Sequence, residues 1–250
     1  AAWDNVGLLV APVSPRPVTA AHLTIDLTAA VYAEARAAGA ELIVAYHPPI
    51  FGGLKRLTPD RPLTRVLLQA LHDGVAIYSP HTALDAVVGG VNDWLLEGLG
   101  AASAVRPIEP AADPEAPAGA GTGRVATLTT PLAAAELVPR LKAWLGLSSF
   151  RVAWAPAHKA GAPMTRVAVC PGAGGSLFEA LRGPVDLLVT GELRHHDILA
   201  RVATGTTVVV TNHPNNERGF LPRFSAQLHA ALPDVAVTVS AVDADPLQVV

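Results

Sequence analysis

The sequence predicts an α/β protein built as two modules, and three observations predict it. Apolar runs of strand length alternate with alanine-rich or amphipathic runs of helix length, and Gly, Pro and Asp punctuate them. A stretch from Pro107 to Gly123, made of Pro, Ala, Gly and acidic residues without periodicity, reads as a linker or surface loop and divides the chain. With 250 residues of which 50% are apolar, there is enough material for one large core or two smaller ones.

In order along the chain, a short strand closes over Thr24 to Asp26, and Thr28 stands where a helix N-cap is needed before the alanine-rich run Ala29 to Ala38, which Gly39 stops. Glu41 to Ala45 is the next strand. A helix over about Thr64 to His72 ends at Asp73-Gly74, and Val75 to Tyr78 returns as a strand. This is the strand, helix, strand grammar of βαβ units. After the divide come a strand near Arg124 to Thr129, a helix near Ala133 to Leu145, and strands near Phe150 to Ala155 and over Arg166 to Cys170. Pro171-Gly-Ala-Gly-Gly-Ser176 turns into a helix over Leu177 to Leu181. Strands over Asp186 to Thr190 and Thr206 to Val210, a helix near Pro222 to Ala231 and a strand near Val235 to Ser240 complete the pattern.

Charge and cysteine content narrow the function classes. Twenty-one acidic against 18 basic residues give −3, and only 16% of residues are charged, so no basic field exists for a nucleic-acid backbone and direct nucleic-acid binding is not expected. Cys170 is the single cysteine, which excludes an internal disulfide, zinc-finger ligation and a CxxC redox centre and fits a reducing, cytoplasmic home. No uninterrupted apolar run of about 20 residues is present, so no membrane span is expected. The chain opens on Ala-Ala-Trp-Asp-Asn without methionine, so a segment upstream, with any targeting signal, is expected to be missing.

Four strand ends deliver His or carboxylate residues: Tyr46-His47, His81 with Asp85, Glu192 with His195-His196-Asp197, and His213 with Glu217. Open α/β sheets place their sites at strand carboxyl ends, and imidazole with carboxylate suits Zn, Fe or Mn. His213 and Glu217 are four apart, so on a helix they would share a face and could reach one ion, although Pro214 restricts that helix to starting there. Local hydrogen bonding is the alternative. His81 and Asp85 repeat the offset, a weak signal alone. His47 is followed by two prolines whose fixed φ angles aim the imidazole. His195 and His196 diverge by about 100° on a helix, so one ion would not use both. One of them could transfer protons, or one is solvated and the other packed. Gly172, Gly174 and Gly175 could form an anion nest, with tight turning the simpler explanation. Cys170, ending an apolar strand, reads as structural.

Trp3-Asp-Asn-Val-Gly-Leu-Leu9, Tyr46-His-Pro-Pro-Ile-Phe51, Tyr78-Ser-Pro-His-Thr-Ala83, Gly90-Val-Asn92, Thr190-Gly-Glu192 with His195-His-Asp197, and Asn216-Glu-Arg-Gly-Phe-Leu221 resemble, in this order, the Nif-three-like family. These are the NGG-one-interacting factor proteins, whose bacterial members carry the name GTP cyclohydrolase I type 2. The resemblance runs from residue 3 to the closing Asp245-Pro-Leu-Gln-Val-Val250 and points to the eukaryotic-type branch. It implies two α/β modules with the second inserted in the first, here residues 1–105 plus 207–250 and residues 106–206, and a metal-site cleft between them. It also implies a ring-like homohexamer and a dinuclear centre of divalent ions, with His47, Asp85, His213 and Glu217 as ligands. Tyr46 stands where the bacterial pattern has a first histidine. A phenol with a pKa of about 10 is a poor ligand at neutral pH, so one of two ions is expected to bind weakly or not at all.

Two functions follow as expectations. The first is a metal-dependent hydrolase of a small phosphorylated or nucleotide-like molecule, using Zn, Mn or Fe, with His81 or His196 moving the proton. The second is a metal-stabilised oligomeric interaction protein without turnover, acting on transcription through a protein partner.

Overall fold

The computed structural model describes residues 3–14 and 16–249. Val250, the last residue of the closing string, lies outside the described residues. The chain divides into two compact units, Ala1–Ala83 with Phe220–Pro246 and Leu84–Gly219 with Leu247–Val250. Each is built on its own mixed sheet.

The first unit holds a five-stranded sheet in the spatial order Gly7–Val10, Ala76–Ser79, Leu42–Ala45, Ala20–Thr24, Ala236–Val239. Gly7–Val10 pairs antiparallel with Ala76–Ser79, and the other pairings are parallel. Helices Ala29–Ala37 and Pro62–Asp73 make the crossovers. Thr28 caps the first by accepting the Val31 N–H at 3.2 Å, as its position predicts. Pro62 opens the second, where a missing N–H costs nothing, and Gly74 closes it with φ +69. Val31, Ala35, Ile43, Val66, Leu67, Ala70 and Ile77 interlock as the core between sheet and helices. Because the sheet is parallel in its centre, Ile25-Asp26, Tyr46-His47 and Pro80-His81 all leave it at the same edge.

The second unit holds a six-stranded sheet ordered Ala102–Arg106, Arg124–Leu132, Met164–Ala173, Leu187–Glu192, Thr207–Val210, Arg151–Ala153. Met164–Ala173, Leu187–Glu192 and Thr207–Val210 are parallel, and the flanking pairings are antiparallel. Val125, Ala168, Cys170, Phe178, Leu188, Val208 and Val210 form the core. The parallel strands again send their polar residues off one edge: Gly172, Glu192 and His213 follow or end them.

Two segments differ from expectation. Pro107 to Gly123 is not a bare linker, for Glu109–Pro110 pairs antiparallel with Gly121–Thr122 and Ile108 joins the core. Buried Arg124 anchors this part, reaching Asp93 at 2.5 Å and the Gly121 and Gly123 carbonyls at 2.7 and 2.8 Å. Helix Val91–Glu97, which burial of Trp94, Leu95 and Leu96 holds in place, has no strong sequence signal because Gly90 gives it no side-chain cap. Among the described residues, no helix is long and apolar enough to cross a membrane.

Candidate functional site

In the second unit, His213 opens a four-residue 3-10 turn, His213–Asn216, with Pro214 in its first turn and Asn212 at φ +70 setting the entry. The expected helix is thus a single tighter turn. Its result is nevertheless the expected one: His213 Nε2 and Glu217 Oε1 come within 3.8 Å. On the other side of the ring, Nδ1 lies 3.4 Å from Glu192 Oε2. Glu217 is only 3% exposed. Burying a carboxylate costs several kcal/mol, on the order of what a cation and hydrogen bonds must return.

The ground beneath these donors is main chain. A Cβ on Gly172 would fall 2.7 Å from Glu217 Oε1 and 3.0 Å from His213 Nε2, and Gly172 has φ +61. One on Gly191 would fall 2.6 Å from the Gly172 carbonyl and 2.8 Å from the His213 Cα. Asn216 Oδ1 accepts the Gly172 N–H at 3.1 Å, and Thr190 Oγ1 donates to the Gly172 carbonyl at 3.2 Å, so the strand end is fixed from both sides. Asp85, half-buried on helix His81–Ala86, bears on the same region: the Cys170 thiol is pushed up by burial first and then by the charges of Asp85 and Glu217. Cys170 is consequently an inert packing residue, as its position predicts.

In the first unit, His47 Nδ1 meets Asp26 Oδ1 at 2.9 Å, and the Tyr46 ring, 2% exposed, packs against it at 5.2 Å. An ionised carboxylate can only accept, so Nδ1 carries the hydrogen and Nε2 carries the lone pair that would bind a metal. His81 is held in the same way, with Nδ1 2.6 Å from Asp4 Oδ1.

Among the described residues, His47, His213 and Glu217 make up a candidate divalent-metal-binding group. The donor set fits a divalent cation: two imidazoles whose Nδ1 atoms face carboxylates, one buried carboxylate, and a glycine where any side chain would fill the space. Asp85 is not among the three. His196 shares the exposed first turn of helix His195–Ala203 with His195, its ring 5.4 Å from that neighbour, and both are solvated. Gly174 gives its N–H to Thr190 Oγ1 at 3.1 Å, so the glycine run serves tight turning. Beside it lies a cavity of about 460 Å3 lined by Ser176, Glu179, Glu192, Arg194 and Asp197 among others.

Asp4 and Asp26 contact His81 and His47 without being among the residues that the sequence singles out. Asp4 sits inside the Trp3-Asp-Asn5 motif, which was a signal; Asp26 follows a strand by two residues, which is too common to be one.

Known proteins resemble this chain over nearly its whole length. The family model described as Duf34/NIF3 (NGG1p interacting factor 3) matches residues 1–246. NIF3-like protein 1 of Drosophila melanogaster is 42% identical over 98% of this chain and 82% of its own length. A GTP cyclohydrolase 1 type 2 homolog of Clostridium perfringens is 31% identical over 98% of this chain and 91% of its own, so identity is higher to the eukaryotic relative. The crystal structure of a hypothetical protein from Staphylococcus aureus superposes with a TM-score of 0.85, covering 100% of this chain and 93% of that one at 22% identity, a likeness of fold.

Proposed function

The chain belongs to the Duf34/NIF3 family, and from that premise we propose that it is a divalent-metal-dependent hydrolase of a small phosphorylated or nucleotide-like molecule. His47, His213 and Glu217 hold the ion, and Asp85 completes the set. The observation that carries the reading is Glu217: a nearly solvent-free carboxylate next to an imidazole, over a glycine floor, is an arrangement that a bound cation stabilises.

When bound, the ion supplies Lewis-acid polarisation of the substrate and of water. The chain's own residues do the rest. Asp26 and Glu192 orient the imidazoles of His47 and His213 through Nδ1. His81, with Nδ1 on Asp4, offers Nε2 to a proton in flight; His196 is the runner-up, exposed and without a carboxylate on its ring. Zn, Mn and Fe all suit this mixture of imidazole and carboxylate.

The test is a screen of purified protein against phosphomonoesters, phosphodiesters and purine nucleotides with each of the three metals supplied separately, alongside Glu217→Gln and His81→Gln. Loss of turnover in both variants, with unchanged oligomeric mass, supports the hydrolase. If the metal binds and Glu217→Gln disrupts assembly while no substrate turns over in the unmutated chain, the site is structural and the interaction-protein reading replaces this one.

A further inference from the structure

We propose that Asp4 is the positioning residue for His81, holding it as the Nδ1–H tautomer so that Nε2 keeps its lone pair. The inference rests on the reading of His81 as a proton-transfer group and extends it to a residue of the Trp3-Asp-Asn5 motif.

Asp4 is built as an orienting carboxylate. Its side chain is fully buried, 0% exposed, while the imidazole it holds is 16% exposed. Each oxygen is committed. Oδ1 accepts from His81 Nδ1 at 2.6 Å and from the Asn5 N–H at 2.7 Å; Oδ2 accepts from the Thr82 N–H at 3.1 Å and from Thr82 Oγ1 at 2.5 Å. Four donors converge on one group, and two of them are backbone N–H groups that cannot reverse their polarity. Such a group is an acceptor only. Hydrogen bonds to the charged form outweigh burial and keep it ionised at neutral pH. The short contact to His81 therefore requires the hydrogen on Nδ1, which is the role of the aspartate in a Ser-His-Asp triad.

The imidazole is also fixed in plane. Tyr46, Trp3, Phe51 and His47 stand at steep angles to it, with ring centroids at 5.9, 6.1, 6.0 and 5.7 Å. Its backbone sits at φ +30, a left-handed strained conformation that persists only where surroundings enforce it. The clamp from Asp4 to both His81 and Thr82 is that enforcement. A carboxylate needed only to anchor the start of helix His81–Ala86 would require the Thr82 contacts and nothing on the ring.

The experiment is 15N NMR of the metal-free protein labelled at histidine, read where the imidazoles are neutral, with no substrate present. His81 is assigned by its loss in His81→Gln. The expected result is the Nδ1–H signature for His81, shifted towards Nε2–H in Asp4→Asn, where an amide cannot accept all four donors. Thr82→Val, which removes one donor and leaves the ring contact, keeps the Nδ1–H signature. An Nε2–H signature in the unmutated protein overturns the proposal even if Asp4→Asn fails to fold, as does an Asp4→Asn protein that folds and keeps Nδ1–H. Because neither metal nor turnover enters the measurement, a protein that shows Nδ1–H yet hydrolyses nothing sinks the hydrolase reading and leaves the orientation standing.

Discussion

His47, His81 and His213 each turn Nδ1 towards a carboxylate, from Asp26, Asp4 and Glu192 respectively. This makes the partner carboxylates as consequential as the rings. Asp26→Ala is expected to lower metal affinity about 10- to 100-fold with little change in the far-ultraviolet circular dichroism spectrum, as measured by competition with a chromogenic chelator. Asp4 carries a second, separable prediction. Burial raises its carboxyl, but the bonds from Thr82, His81 and the Asn5 and Thr82 N–H groups outweigh that and hold it below its ordinary value of 3.8. A carboxyl depressed on folding stabilises the folded state above its unfolded pKa, and that contribution is lost as the pH falls through the lower, folded value. Acid unfolding followed by tryptophan fluorescence should therefore show a shallower loss of stability below about pH 4 in Asp4→Asn than in the unmutated chain.

Among the elements, the crossover helices of the first unit rest on end signals that single substitutions can remove. Thr28→Ala deprives the Val31 N–H of its acceptor and should cost about 1 kcal/mol in urea-induced unfolding. These ends were legible in the sequence because each uses local chemistry: a threonine before an apolar run, a proline in the first turn, a glycine at positive φ. The strand Leu42–Ala45 and its delivery of His47 were legible for the same reason, an apolar run stopped by two prolines. Strand Gly7–Val10 was not, because a short antiparallel edge strand with exposed Leu8 has no clean alternation. Nor were the pairings of Asp4 with His81 and Asp26 with His47. They depend on strand register, which places residues 77 and 21 positions apart side by side. The His213 turn lies between these cases: its spacing was readable, while its 3-10 geometry follows from Asn212 at positive φ, which no residue type announces.

At the scale of the whole molecule, the recurrence is architectural. Two sheets, each parallel in its middle, send the side chains of the candidate site off their carboxyl edges, the placement expected of open α/β sheets. A buried carboxylate among the candidate ligands would also couple the binding of an ion to folding. Stripping metal with a chelator should lower the melting temperature, and restoring an ion at about 100 times its dissociation constant should return about 2.7 kcal/mol, read by scanning calorimetry. Glu217→Gln should narrow the difference between the metal-free and metal-loaded transitions.

Gly172 and Gly191 give this site an asymmetry towards change. Its floor is backbone, already stripped to the smallest residue at both positions, so substitution there can only add atoms where His213 and Glu217 need room. A point mutation at either glycine can crowd its neighbours but cannot give them more room. Room for exchange lies beside this floor, in the neighbouring cavity, where Ser176, Glu179 and Arg194 supply side chains.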